Sequence, residues 1–176
     1  MKSTQEKYLP EFIYGAIDGL VTTFAIVSGV MGASLSAGII LILGFANVFA
    51  DGFSMGASNY LSTRSEHDLQ KRDNLAHSHD KLPIKTGLVT FISFIIVGTI
   101  PMTPFVFGYF YHVDQYSLFK YSIVITGFAF FIIGLFRGFI TKTSPIRAGI
   151  ETLFVGALAA AISYFVGSLL QGLGNI

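Results

Sequence analysis

Residues of the kinds that bind cations recur at intervals of four in the stretch GFANVFADGFSMGASNYLSTRSE: Asn47, Asp51, Met55 and Asn59. On a helix, each step of four residues drifts only about 40°, so the set shares a face about 120° wide and rises about 18 Å. Carboxylate and amide oxygens beside a thioether suit a divalent transition ion. Carboxylates alone suit protons, Mg²⁺ or Ca²⁺, and the thioether shifts the choice toward a softer ion such as Fe²⁺. A weaker stripe of the same kind stands earlier in Asp18, Thr22 and Gly29. Bland readings compete: a methionine in an apolar helix is usually packing, an asparagine often glues helices together, and the whole stripe could be a dimer seam.

The elements that carry these residues belong in a bilayer. The chain is 52% hydrophobic and 12% charged over 176 residues, with a mean hydropathy of +0.66. Soluble domains carry about 25% charge. A spanning helix needs about 20 mostly apolar residues, and five segments qualify: Phe12–Ala33, Gly38–Leu61, Ile84–Phe110, Leu118–Ile140 and Ala148–Leu170. The third is interrupted at Pro101 and Pro104, which end or kink a helix. The expectation is a single all-α domain of five transmembrane helices, with a short polar cytoplasmic loop over 62–83. Lys and Arg cluster in the N-terminal tail, in that loop and between the last two spans, which places the N-terminus inside and the C-terminus outside. In this setting an aspartate near a helix centre costs roughly 2.5–3.5 kcal/mol, so Asp18 and Asp51 need a protein interior or a water-filled path.

Several function classes drop out. The scattered basic residues form no groove for nucleic acid. The chain has no cysteine, hence no disulfide, thiolate metal site or thiol nucleophile. No phosphate loop, HExxH or Ser/His/Asp set appears, so neither an enzyme nor an ATP-driven pump is indicated, and no permanently bound cofactor is expected. The loop residues Glu66, His67, Asp68, Asp73, His77, His79 and Asp80 read as a solvated linker, with HSHD as a possible metal-binding string. His112 beside Asp114 reads as outer surface. Glu151 reads as an i,i+4 ion pair with Arg147, or else as an acceptor of protons or metal at the inner mouth. Gly15/Gly19, Gly52/Gly56 and Gly134/Gly138 are small-xxx-small pairs that favour close helix packing. The first two flank Asp18 and Asp51, so packing would bring the carboxylate helices together, and the first span is expected to lie near a two-fold axis of a dimer.

The blocks DGLVTTFA and ADGFSMGASNYLS, and ETLFVGALAAAISYFVG further on, closely resemble the vacuolar iron transporter family over nearly the whole chain. The resemblance implies a five-helix homodimer with a metal path at its interface. It also implies proton-coupled export of Fe²⁺, sometimes Mn²⁺, from the cytosol. The family's path aspartate and methionine match Asp18 and Met55. Plant members carry a glutamate where this chain has Asn47 and a small residue where it has Asp51, and they hold a cytoplasmic metal-binding domain for which the loop here is too short. The expected protein is therefore an integral membrane exporter of Fe²⁺ or Mn²⁺, in a prokaryotic plasma membrane or, in a eukaryote, a vacuolar-type membrane. Asp18, Asp51, Met55 and Asn47 are the expected ligands, and Asp18, Asp51, Thr22, Asn59 and Glu151 the residues of the path and its proton coupling. The alternatives are a non-transporting structural dimer and a transporter or channel for another solute.

Overall fold

The computed structural model describes residues 4–72, 81–111 and 113–172. They form helices α1 (Thr4–Gly32), α2 (Ala37–Arg72), α3 (Pro83–Gly98), α4 (Thr103–Tyr111), α5 (Gln115–Thr141) and α6 (Pro145–Leu170), with a 3₁₀ turn at Ile100–Met102. No strand occurs among the described residues. Five helical units are long and apolar enough to cross a membrane, with α3, the 3₁₀ turn and α4 together making the third. The protein is an integral membrane protein with an all-α fold. His112 and the string with Asp73, His77, His79 and Asp80 lie outside the described residues.

The proline signal marks a real break. Thr103 Oγ1 donates to the Ile100 carbonyl at 2.7 Å and Ser122 Oγ of α5 donates to the Pro101 carbonyl at 2.7 Å. Carbonyls freed from a helix ladder inside lipid need such donors. At the far end of α1, Ser34 takes a positive φ of 56°. The turn is clamped by Gln115, which accepts from Ala37 N at 3.0 Å and donates to Leu35 O at 2.7 Å.

One boundary differs from expectation. The loop expected over 62–83 begins only after Arg72, because Ser62–Arg72 continues α2. That stretch has no Gly or Pro and several good helix formers, Glu66, Leu69, Gln70, Lys71 and Arg72 among them. Its charges mark where the bilayer ends, and nothing there stops the helix.

Helix α1 is the most enclosed span, packed on α3 and α6, while α2 also lies on α3. Leu20, Phe24, Val27, Phe94, Met102 and Phe130 fill the core. The glycines decide how close the helices come. A Cβ on Gly19 would stand 2.6 Å from the Phe94 carbonyl oxygen, and one on Gly56 would stand 2.9 Å from the Gly87 carbonyl oxygen. Gly15 likewise meets Thr90 and Ser93 of α3. Gly15/Gly19 serves close helix packing, as expected, and does so inside the protomer, against α3. Sequence spacing shows that a face is small without showing which helix it serves.

Gly19→Ala should therefore lower protomer stability by about 1–3 kcal/mol, the usual penalty of overpacking. Thermal unfolding in detergent reads this, alongside size-exclusion analysis. A fully stable variant that merely changes its oligomeric state would return the pair to a dimer seam.

Candidate metal path

Helices α1 and α2 run antiparallel across a tight turn, and their polar stripes come level. Tyr14 lines an open pocket of ≈ 340 Å³ together with Met55, Ser58 and Asn59. One turn further along the same antiparallel register, Asp18 comes level with Asp51. Four residues along each helix span about 6 Å, so the two pairings belong to one register. That register brings Thr22 to the level of Asn47 and Glu11 to the level of Ser58. Glu11 indeed shares a second pocket with Asn59 and Ser62.

Asp18 and Asp51 are both half-buried, and among the described residues neither has a hydrogen-bond or ion-pair partner. Two carboxylates at one level of spanning helices, with no partner among the described residues, are groups that a shared cation or protons would satisfy. Asn47 is half-buried with its Nδ2 enclosed and unpartnered. An orphan donor of this kind costs about 1–3 kcal/mol.

Asn59 is oriented by α3. Its Nδ2 donates to Thr90 Oγ1 at 2.7 Å, and Thr90 Oγ1 in turn donates to the Thr86 carbonyl at 3.0 Å. The threonine proton is already spent, so the amide must present its NH₂ there. The Asn59 carbonyl oxygen is left for the pocket it shares with Met55. Met55 is half-buried on the same wall. Among the described residues, no three His, Asp or Glu side chains converge as a metal cluster. A complete ligand set along this groove needs neutral donors or a second copy.

Glu151 lies elsewhere. It accepts from Arg137 Nη2 at 2.7 Å and from Arg147 Nε at 3.1 Å. These three residues line a pocket of ≈ 410 Å³ at the α5–α6 turn that none of Asp18, Asp51 and Met55 reaches. Thr22 is half-buried on the groove side of α1. Sequence reasoning passed over Glu11 and Tyr14. The available signal was spacing: Glu11, Tyr14 and Asp18 stand at i, i+3 and i+7, on one face of α1.

The model of the VIT family matches residues 9–77 and 71–168. The chain belongs to the VIT family. Among similar proteins are the vacuolar iron transporter of Toxoplasma gondii, 27% identical over 96% of this chain and 76% of its own length, and that of Plasmodium falciparum, 26% identical over 93% and 82%. Vacuolar iron transporter 1 of Arabidopsis thaliana is 25% identical over 96% and 88%. The Toxoplasma alignment runs over 232 positions against a chain of 176 residues, so that VIT relative carries extra residues within the matched region. The family match itself divides at residues 71–77, at the α2–α3 connection.

Both ion pairs of Glu151 are substantially exposed, so Glu151→Gln should lower stability by less than about 1 kcal/mol. Thermal unfolding and metal flux in proteoliposomes, measured together, check this. Flux lost at unchanged stability would assign Glu151 to the path.

Proposed function

We propose that this protein exports a divalent metal ion, Fe²⁺ and secondarily Mn²⁺, from the cytosol in exchange for protons, as a homodimer whose path follows the α1–α2 groove. The observation that carries this reading is the level, uncompensated pair Asp18 and Asp51 within spanning helices. One divalent ion and two protons balance the same two carboxylates, so occupancy by one excludes the other. Alternating occupancy at the two membrane faces yields antiport. Asn47 adds a neutral oxygen and Met55 a thioether that favours Fe²⁺ over harder ions. Thr22 and Asn59 extend the polar wall on either side. The cytosolic side is the end where Lys and Arg collect. The names of the VIT relatives, vacuolar iron transporters, agree with iron as the cargo.

The dimer follows from what lipid cannot accept. Ser54, Ser58 and Ser62 are exposed on α2 beside the polar stripe, and Ala46 and Ala50 continue the same row. A small, partly polar face supports close packing of a second helix within a membrane. A second copy set there shelters Asp18 and Asp51 and doubles the carboxylates around the ion.

Three variants test the path. Asp18→Asn and Asp51→Asn keep side-chain volume while removing the charge and the proton site. Each should reduce flux of Fe²⁺, Mn²⁺, Co²⁺ and Zn²⁺ to background, with or without a pH gradient, while thermal stability holds or rises. Met55→Leu should fold normally and lose preference for Fe²⁺. Ser54→Cys, the sole thiol in a cysteine-free chain, should yield a disulfide-linked dimer. Carboxylate variants that unfold about 1–3 kcal/mol more easily yet still carry metal would falsify the path and leave a structural seam.

A further inference from the structure

Past Asn59 the groove opens into a second polar pocket of ≈ 360 Å³, whose lining includes Glu11, Ser62, Glu66, Gln70 and Lys81. Asn59 and Ser62 line both pockets, so the two are neighbours along the groove. Glu11 is only 9% exposed. Its Oε1 takes the Lys81 ammonium at 2.6 Å, while its Oε2 is buried with no partner. Gln70 Oε1 is also buried and unpartnered. Both leftover atoms are acceptors, and Glu66 adds another carboxylate to the same lining. Such a pocket is matched by a ligand that brings positive charge and many donors.

A hydrated divalent cation has both. Six waters at about 30 Å³ each occupy roughly 180 Å³, so the pocket holds an ion with its inner water shell. Carboxylate, amide and hydroxyl oxygens are the acceptors that bound waters seek, and hard ions keep several waters in protein sites. The Lys81 side chain is 36% exposed. Its long stem lets the ammonium swing into solvent without disturbing the helices.

We propose that this pocket is a loading vestibule for a hydrated divalent cation, and that Lys81 is a tethered counter-ion which the arriving ion displaces from Glu11. The role as a loading step rests on the transport reading above; the binding site itself does not. On loading, a dication replaces a monocation at Glu11. Asn59, with its carbonyl oxygen left over by the Thr90 bond, stands where the ion passes toward Met55.

The test uses the full chain in nanodiscs carrying Asp18→Asn and Asp51→Asn, so that the deeper carboxylates do not contribute. Mn²⁺ is the probe, and its free concentration is followed by electron paramagnetic resonance, with thermal unfolding measured on each sample. Adding Glu11→Gln should weaken Mn²⁺ binding by about tenfold or more, the usual cost of losing a metal-site partner. Gln70→Leu should weaken it less. Lys81→Met should tighten it, because a competing cation is gone. A merely structural Glu11–Lys81 pair predicts lower stability in Lys81→Met with Mn²⁺ affinity unchanged or weaker, and that result overturns the proposal. So does Glu11→Gln binding Mn²⁺ as its parent does. Protein with unaltered carboxylates that binds Mn²⁺ here but moves none across liposomes would sink the transport reading and leave the vestibule standing.

Discussion

Close packing of α1 and α2 on α3 is the constraint on which the rest depends. Two aspartates in spanning segments are tolerable where a cation, protons or a water-filled path is shared between them, and sharing one demands a register fixed to within a fraction of a turn. Gly15 and Gly19 of α1 let its backbone meet that of α3. Gly56 of α2 and Gly87 of α3 do the same from the other side. Because α3 grips both partners at backbone distance, neither can slide by a residue without a steric clash. The levels Tyr14 with Met55, and Asp18 with Asp51, are consequences of that grip. The same helix supplies Thr90, which turns the Asn59 amide.

The other spans support this arrangement without joining it. The break at Pro101 interrupts the third span, and the hydroxyl of Ser122 compensates for it. Phe24 of α1 meets Phe130 of α5 edge-on at 6.5 Å, tying the central helix to the α5–α6 pair. Helix α6 is mostly exposed along its apolar length, as suits a helix against lipid. Glu151 sits near its N-terminal end between two arginines, exposed enough that these ion pairs stabilise little.

How far the sequence was legible follows from which forces are local. Hydropathy reports solvent, so the five spans and the proline break were readable, with ends displaced by a turn or less in most cases. It does not report helix length beyond the apolar stretch, and for that reason hydropathy alone assigns Ser62–Arg72 to a loop. The polar stripe of α2 was readable because its period belongs to one helix. The partner of a glycine face was not, since Gly15 and Gly19 could serve any neighbour. Glu11 escaped notice because it lies before the apolar core of the first span, where a charge costs nothing. Only the fold shows it enclosed, with Lys81, seventy positions along the chain, brought against it.

The register also bears on ion choice. In the proposed path, an ion coming from the charged end meets oxygens first at Glu11 and Gln70, then the Asn59 carbonyl and the Met55 thioether, and only then Asp51 and Asp18. The soft donor therefore stands before the paired carboxylates, where it can discriminate while the ion is still shedding water. The carboxylates, which bind almost any divalent ion, come last. An acid at position 47 instead of 51, the arrangement that the resemblance to plant members implies, would stand level with Thr22, one turn from Asp18. Here Asp51 puts both acids at one level. Two carboxylates at one height confine the charge to a single compact station, about 6 Å shorter along the axis than a staggered pair. In the proposed exchange, a compact station would bind a dication and two protons as strict alternatives, whereas a staggered one would leave room for one acid to hold a proton while the other holds the metal. On that reading, the shift by one helical turn would set the tightness of coupling as much as the choice of metal.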